Sequence, residues 1–260
     1  MQILKEFLAD KLRVKIFDSR TAMGMHAGRE IADCIRNLQA EKEEINIIFA
    51  AAPSQNETLA ELIKAEGIDW NRINAFHMDE YIGLSEDAPQ GFGNFLKDRL
   101  FSKVPFKEVY YIFSKNESPE ETCKRYANLI KEHPIDIVCL GIGENGHIAF
   151  NDPWVADFND KEIIKKVELD AVCRNQQVND GCFQTIDDVP LYALTLTVPT
   201  LYCARYLFCT VPAKTKAEAV YNTVYGDIDE TVPATIMRRH ESATMYCDPD
   251  SGAKILNRKE

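Results

Sequence analysis

The sequence predicts an α/β protein: a doubly wound, mostly parallel sheet with helices on both faces (Rossmann-like). Three observations predict it. Short, β-rich apolar runs alternate with amphipathic stretches of helical spacing along the 260 residues, the pattern of strand–crossover–strand units. Some runs, such as 45–50, are almost continuously apolar, as expected of strands covered on both sides. The segments just beyond these runs carry glycine, hydroxyl and acidic residues, and open parallel sheets bind ligands outside their strand ends.

Met1-Gln-Ile-Leu-Lys-Glu-Phe-Leu8 reads as an amphipathic helix. Glu6 and Asp10 fall where a signal peptide would need apolar residues, so it is not read as a targeting segment. Residues 12–17 form a candidate strand, followed by a helix over 19–40. The strand at 45–50 leads to a helix over 56–66, and 73–78 is the next strand. Helical spacing over 92–101 precedes a strand at 109–113. Ser118-Pro-Glu-Glu121 is a capping box with proline at the first helical position, and its helix runs to 132. A buried strand follows at 135–140. Strands are then expected at 192–198 and 206–210, a helix over 214–225 and a last strand at 244–247. The stretch 154–188 is the least regular and most polar, and is expected to be a mobile flap. No internal repeat or linker divides the chain, so 1–260 is read as one domain.

Composition narrows the function. An apolar fraction of 45% with 27% charged residues is that of an ordinary soluble globular protein. No apolar run approaches the roughly 20 residues of a membrane span. The net charge of −11, with no basic stripe, argues against a nucleic-acid partner; an anionic substrate would need local cations or N–H groups. The eight cysteines are scattered, without a Cys-x-x-Cys pair, and several lie in apolar runs. They read as small core residues in a reducing, cytoplasmic setting, with neither disulfides nor a metal site.

Four strand ends carry candidate chemistry. After 45–50 comes Ala51-Ala-Pro-Ser-Gln-Asn56, where Ser54, Gln55 and a helix N-terminus suit an anion. After 73–78 come Asp79 and Glu80, flanked by apolar and aromatic residues that would desolvate a carboxylate and raise its pKa toward that of a general base. After 135–140 lies Gly141-Ile-Gly-Glu-Asn-Gly-His147. Its glycines, Gly143 and Gly146 among them, aim backbone N–H groups into a crevice and place His147 at the rim. This run matches a dinucleotide fingerprint in letters, but Pro153 stops the required helix and the position is past the chain's midpoint; no nicotinamide or flavin is expected. Asp152, five residues beyond His147, is placed to fix the imidazole tautomer. The histidines at 26, 77, 133 and 240 read as surface or satisfied core residues. After 206–210 comes Val211-Pro-Ala-Lys214.

Phe76-His-Met-Asp-Glu-Tyr-Ile-Gly-Leu84 together with Gly141-Ile-Gly-Glu-Asn-Gly-His-Ile-Ala-Phe-Asn-Asp-Pro153 resembles the glucosamine-6-phosphate deaminase (isomerase) family. Val189-Pro-Leu-Tyr-Ala-Leu-Thr-Leu-Thr197, Lys214-Thr-Lys-Ala217 and Pro233-Ala-Thr-Ile-Met237 extend the resemblance over nearly the whole chain. It implies aldose–ketose isomerisation with loss of ammonia, from glucosamine 6-phosphate to fructose 6-phosphate, by general acid–base catalysis without metal or organic cofactor. His147 would open the sugar ring, and Asp79 would carry the proton from C2 to C1. Asn145 and Asp152 would stand where the family places the two acids that orient the histidine, although the family has Asp and Glu there. Lys214 would be the phosphate lysine. The family's Thr-Gly-Gly phosphate loop is Ala51-Ala-Pro here. Its flap arginine has no counterpart near Asp180-Gly-Cys-Phe183, with Arg174 as the substitute. Three other readings stay open: the galactosamine epimer as substrate, a 6-phosphogluconolactonase-type hydrolase, and a non-catalytic sugar-phosphate-binding relative. A homo-oligomer is also consistent with the family.

Overall fold

The computed structural model describes residues 2–113 and 115–258. In chain order the elements begin with β1 (Ile3–Ala9), β2 (Leu12–Phe17), α1 (Arg20–Glu41), β3 (Ile45–Phe49), α2 (Asn56–Ile63), β4 (Ile73–His77), β5 (Asp79–Tyr81), α3 (Phe92–Leu96) and β6 (Glu108–Tyr110). They continue with α4 (Pro119–Glu132), β7 (Ile137–Leu140), β8 (Ile164–Glu168), α5 (Ala171–Asn179), β9 (Tyr192–Leu196), α6 (Val198–Tyr202), β10 (Tyr206–Val211), α7 (Ala217–Tyr225) and β11 (Ala243–Cys247).

Eight strands form one sheet in the order β1-β2-β11-β10-β7-β3-β4-β6, parallel throughout except for the β1–β2 hairpin. The near-continuous apolar strands follow from two covered faces. In β3, Ile45, Ile47 and Phe49 enter one core with Ile31 and Ile35 of α1. Ile48 turns to the other core, shared with Tyr126 of α4 and Val220 of α7. Helices thus cover both faces. Ser118 and Glu121 form the expected capping box at the start of α4.

Two segments differ from the sequence reading. Residues 3–9 are a strand, not a helix: β1 pairs antiparallel with β2 across a tight turn in which Asp10 adopts φ 49°. A neighbouring strand that supplies a full ladder of hydrogen bonds outweighs the weak helical pattern of so short a segment. The stretch 154–188 is not irregular, since it contains β8 and α5. β8 joins β9 and β5 in a second, antiparallel sheet of order β5-β9-β8. That small sheet ties Asp79 to Thr195 and brings α5 to the mouth of the crevice described next.

The packing of α1 on α2 also bears on that crevice. A Cβ at Gly24 would sit 2.3 Å from the Glu57 Cβ. Only glycine permits this approach, which brings Glu57 within reach of Arg20.

Candidate active site

The turns after β3, β4, β7 and β10 converge with the start of α1 and the end of α5 on one crevice. Asp79 and His147 both line it, from separate strand ends.

Asp79 is 6% exposed. Burial, with the neighbouring Glu80 charge adding to it, pushes its carboxyl well above the ordinary range. Among the described residues its carboxylate has no cationic partner. Its backbone is held instead: Nδ1 of His77 lies 2.9 Å from the Asp79 carbonyl, while Nε2 accepts the Ile112 N–H at 2.9 Å. Because Nε2 must be the acceptor, Nδ1 carries the proton. Burial lowers the His77 pKa to about 4, so the ring is neutral.

His147 sits on the loop after β7. Gly143 donates its N–H to the His147 carbonyl at 2.9 Å, folding the loop so that the ring lies over Gly143. Nδ1 faces two acceptors, the Asn145 Oδ1 at 2.9 Å and the Asp152 Oδ1 at 3.0 Å. Asn145 must present its oxygen there, because its Nδ2 donates to Asp152 at 2.8 Å. Nδ1 therefore carries a proton, and Nε2 has no hydrogen-bonded partner among the described residues. Burial acts to raise the Asp152 pKa, but its bond and attraction to His147 outweigh this and hold the carboxyl below its usual range. Although one methylene shorter than glutamate, Asp152 reaches the ring.

His147, Asp152 and Cys173 place donor atoms within 4.8 Å of one another, a set capable of holding a metal ion. Two of the three are already hydrogen-bonded to each other. Burial pushes the Cys173 thiol far up, so it is protonated. The cluster is thus a histidine–carboxylate hydrogen bond with a protonated thiol beside it.

Other residues expected at the site are placed differently. Glu80 turns away from the crevice and accepts the N–H groups of Tyr81, Phe92 and Gly93 at 2.8–3.0 Å, so it caps α3 and does not face substrate. Gln55 is buried, its amide bonded to the Leu140 and Thr210 carbonyls and its oxygen to the Thr210 hydroxyl; it pins the turn to β7 and β10, while Ser54 lines the crevice. Gly143 lines the crevice, but Gly146 packs beneath Val232, where an added Cβ would lie 2.6 Å from a methyl. Arg174 is spent on the carbonyls of Ile186 and Val189 and does not substitute for a flap arginine. Lys214 is exposed and off the crevice; Lys216, two residues on, lines it and is 6% exposed.

Sequence reasoning missed Arg20, Gln176, Gln177 and Asp180, which also line the crevice. Arg20 carried no signal, since it lies at a helix start far along the chain from the other site residues. The glutamines bridge elements: Gln176 accepts the Glu144 N–H and Gln177 the Tyr81 hydroxyl, both at 2.8 Å. Lys216 was legible in principle, because it begins the apolar face of α7 while Lys214 stands clear of it.

The arrangement presents the His147 imidazole and a carboxyl of raised pKa to one small volume. It suits proton movement between neighbouring atoms of a polyhydroxylated substrate, beside a lysine whose ammonium has no hydrogen-bonded partner among the described residues.

Residues 18–246 match the model of a family described as glucosamine-6-phosphate isomerases/6-phosphogluconolactonase. The chain is 33% identical over 213 residues to a glucosamine-6-phosphate deaminase of Listeria innocua, covering 82% of this chain and 88% of that one. It is 31% identical over 230 residues to that of Streptococcus gordonii, covering 88% and 95%. Among solved structures, a monomeric glucosamine-6-phosphate deaminase superposes with TM-score 0.82 at 29% identity, covering 92% of this chain and 98% of that one. A 6-phosphogluconolactonase from Thermotoga maritima shares the fold, with TM-score 0.75 at 20% identity over 92% and 100% of the two chains.

Proposed function

Because this chain belongs to the family of glucosamine-6-phosphate isomerases and 6-phosphogluconolactonases, we propose that it converts an amino-sugar 6-phosphate, glucosamine 6-phosphate in the first place, to the ketose phosphate and ammonia. The observation that carries this reading is that Asp79 and His147 line one crevice. Hydrolysing a lactone needs one base to activate water. Moving a proton from C2 to C1 needs a second base on the carbon chain, and Asp79 supplies one.

The steps follow from the two environments. His147 Nε2 takes the proton of the O1 hydroxyl and returns it to the ring oxygen, opening the ring to the aldehyde. Its Nδ1–H, held by Asp152, steadies the imidazolium formed midway. Asp79, ionised, removes the C2 proton while the substrate's own C2 ammonium passes a proton to the C1 carbonyl oxygen, giving an enol with a neutral amino group on C2. Its raised pKa brings it closer to the acidity of that carbon, which favours transfer in both directions. Asp79 then delivers the proton to C1, leaving an imine at C2. Water adds there and ammonia departs, so the ketose carbonyl replaces the C–N bond. Lys216 holds the 6-phosphate.

The test is a panel of amino-sugar phosphates, each with and without the 6-phosphate and in both C4 epimers, scored for ammonia and ketose. Ammonia from glucosamine 6-phosphate supports the reading. Lactone hydrolysis without ammonia release refutes it. We propose a cytoplasmic setting, on the ground that all eight cysteines are free thiols, several of them in the core. Fractionation of cells expressing the tagged chain checks this.

A further inference from the structure

We propose that Arg20, at the start of α1, is a specificity-determining residue that grips the substrate's phosphate opposite Lys216. This inference rests on the sugar-phosphate reading above. A phosphate monoester carries about −1.5 to −2 charges at neutral pH, in a protein of net charge −11. The crevice itself includes the carboxylates of Asp79 and Asp180. Lys216 alone cannot balance that ligand, and burial lowers its pKa and weakens its hold on the proton. Among the described residues lining the crevice the other cation is Arg20.

Its guanidinium is aimed before any ligand arrives. Nε donates to Glu57 at 2.8 Å and Nη2 to the Pro53 carbonyl at 2.7 Å. Those bonds fix the plane of the fork and leave Nη1 and one Nη2 hydrogen uncommitted. The side chain remains 39% exposed, and its anchor, Pro53, adjoins the Ser54 hydroxyl on the crevice wall. The turn Ala51-Ala-Pro-Ser54 has no glycine pair to wrap an anion closely with backbone N–H groups. An arginine clamped to that turn supplies planar, charge-assisted donors in their place. The close packing of α1 on α2 at Gly24 sets the distance at which Arg20 meets Glu57.

The experiment compares wild type with Arg20→Ala and Arg20→Lys. Inorganic phosphate is titrated calorimetrically, and KM and kcat are measured for the amino sugar with and without its 6-phosphate. Loss of one charge-assisted contact predicts that Arg20→Ala weakens phosphate binding and raises KM for the phosphorylated sugar by about 10- to 100-fold, leaving kcat within about threefold. Constants for the unphosphorylated sugar should not move. Arg20→Lys, which keeps the charge without the fork, should recover part of the loss, and it serves in place of the alanine variant if that does not fold. Equal losses with both sugars would show that Arg20 only braces the Pro53 turn, and unchanged phosphate affinity in a folded variant would remove it from the site; either overturns the proposal. Phosphate binding that depends on Arg20, in a protein that releases no ammonia from any sugar, would sink the reaction assigned above while sparing this inference.

Discussion

Replacing Gly143 with alanine tests whether the His147 ring must lie where the structure puts it. A Cβ built at 143 falls 2.1 Å from Cε1 and 2.3 Å from both ring nitrogens of His147. Ordinary carbon contacts lie near 3.5–4.0 Å, so the ring has to retreat by more than about 1 Å. It cannot do so freely, because Nδ1 is bonded to Asn145 and Asp152; retreat breaks the pair that fixes the tautomer. The φ of Gly143 is not in the left-handed region, so alanine meets no backbone objection and the effect is steric. Displacement of about 1 Å from productive geometry costs on the order of 10²-fold, and losing proton transfer altogether costs roughly 10²–10⁴-fold. Gly143→Ala should therefore lower kcat by at least about 10²-fold while costing about 1–3 kcal/mol of stability, as overpacking does. Ammonia release under saturating substrate, with a urea melt to establish folding, measures both. A folded variant within threefold of wild-type kcat would refute the placement of the ring.

Other outcomes follow from the same geometry. Lys216→Ala should raise KM for the phosphorylated sugar by about 10-fold or more while Lys214→Ala leaves it unchanged; the reverse order would restore Lys214 to the site. Because Asp79 acts ionised and its pKa is raised by burial and by Glu80, kcat/KM should fall with decreasing pH at a midpoint above the usual carboxylate value of about 4. A raised acid contributes stability below its unfolded pKa that is lost as pH rises through the folded one. Asp79→Asn should thus be more stable than wild type at pH 8, with the gap closing in acid; a constant gap would contradict this. His77, neutral with a pKa of about 4, favours the fold above its unfolded value near 6.5 and loses that contribution as pH falls from there toward 4. Across that window wild type should lose about 3 kcal/mol more than His77→Gln in urea melts, and parallel losses would count against the assignment.

The parallel sheet was legible because its strands are apolar runs with turn residues behind them, and because a strand end in such a sheet is a ligand-binding position whatever the residue. Asp79, His147 and Ser54 could be read for that reason: each lies in the segment behind a strand end. What could not be read is contact across elements. Glu80 looks like a partner for Asp79 in sequence, yet alternation along β5 turns the two side chains to opposite sides, and the N–H groups opening α3 claim Glu80. Arg174 looked free until the Ile186–Val189 turn folded onto it. Choosing Lys214 over Lys216 overlooked the short helical turn that precedes α7, which rotates the first lysine outward. The β1 strand was misread because a hairpin depends on a partner that local spacing does not reveal.

The central claim is that Asp79 is the base on C2. Dissolving the open-chain-accessible substrate in D₂O and following the C2 proton by NMR addresses that step apart from ring opening and ammonia loss. Wild type should exchange or transfer that proton, and His147→Gln should do so once the ring is open. Asp79→Asn, still binding inorganic phosphate, should show none. Exchange in Asp79→Asn within about tenfold of wild type, beyond the reach of the roughly 10²–10⁴-fold expected of a lost general base, would contradict the account.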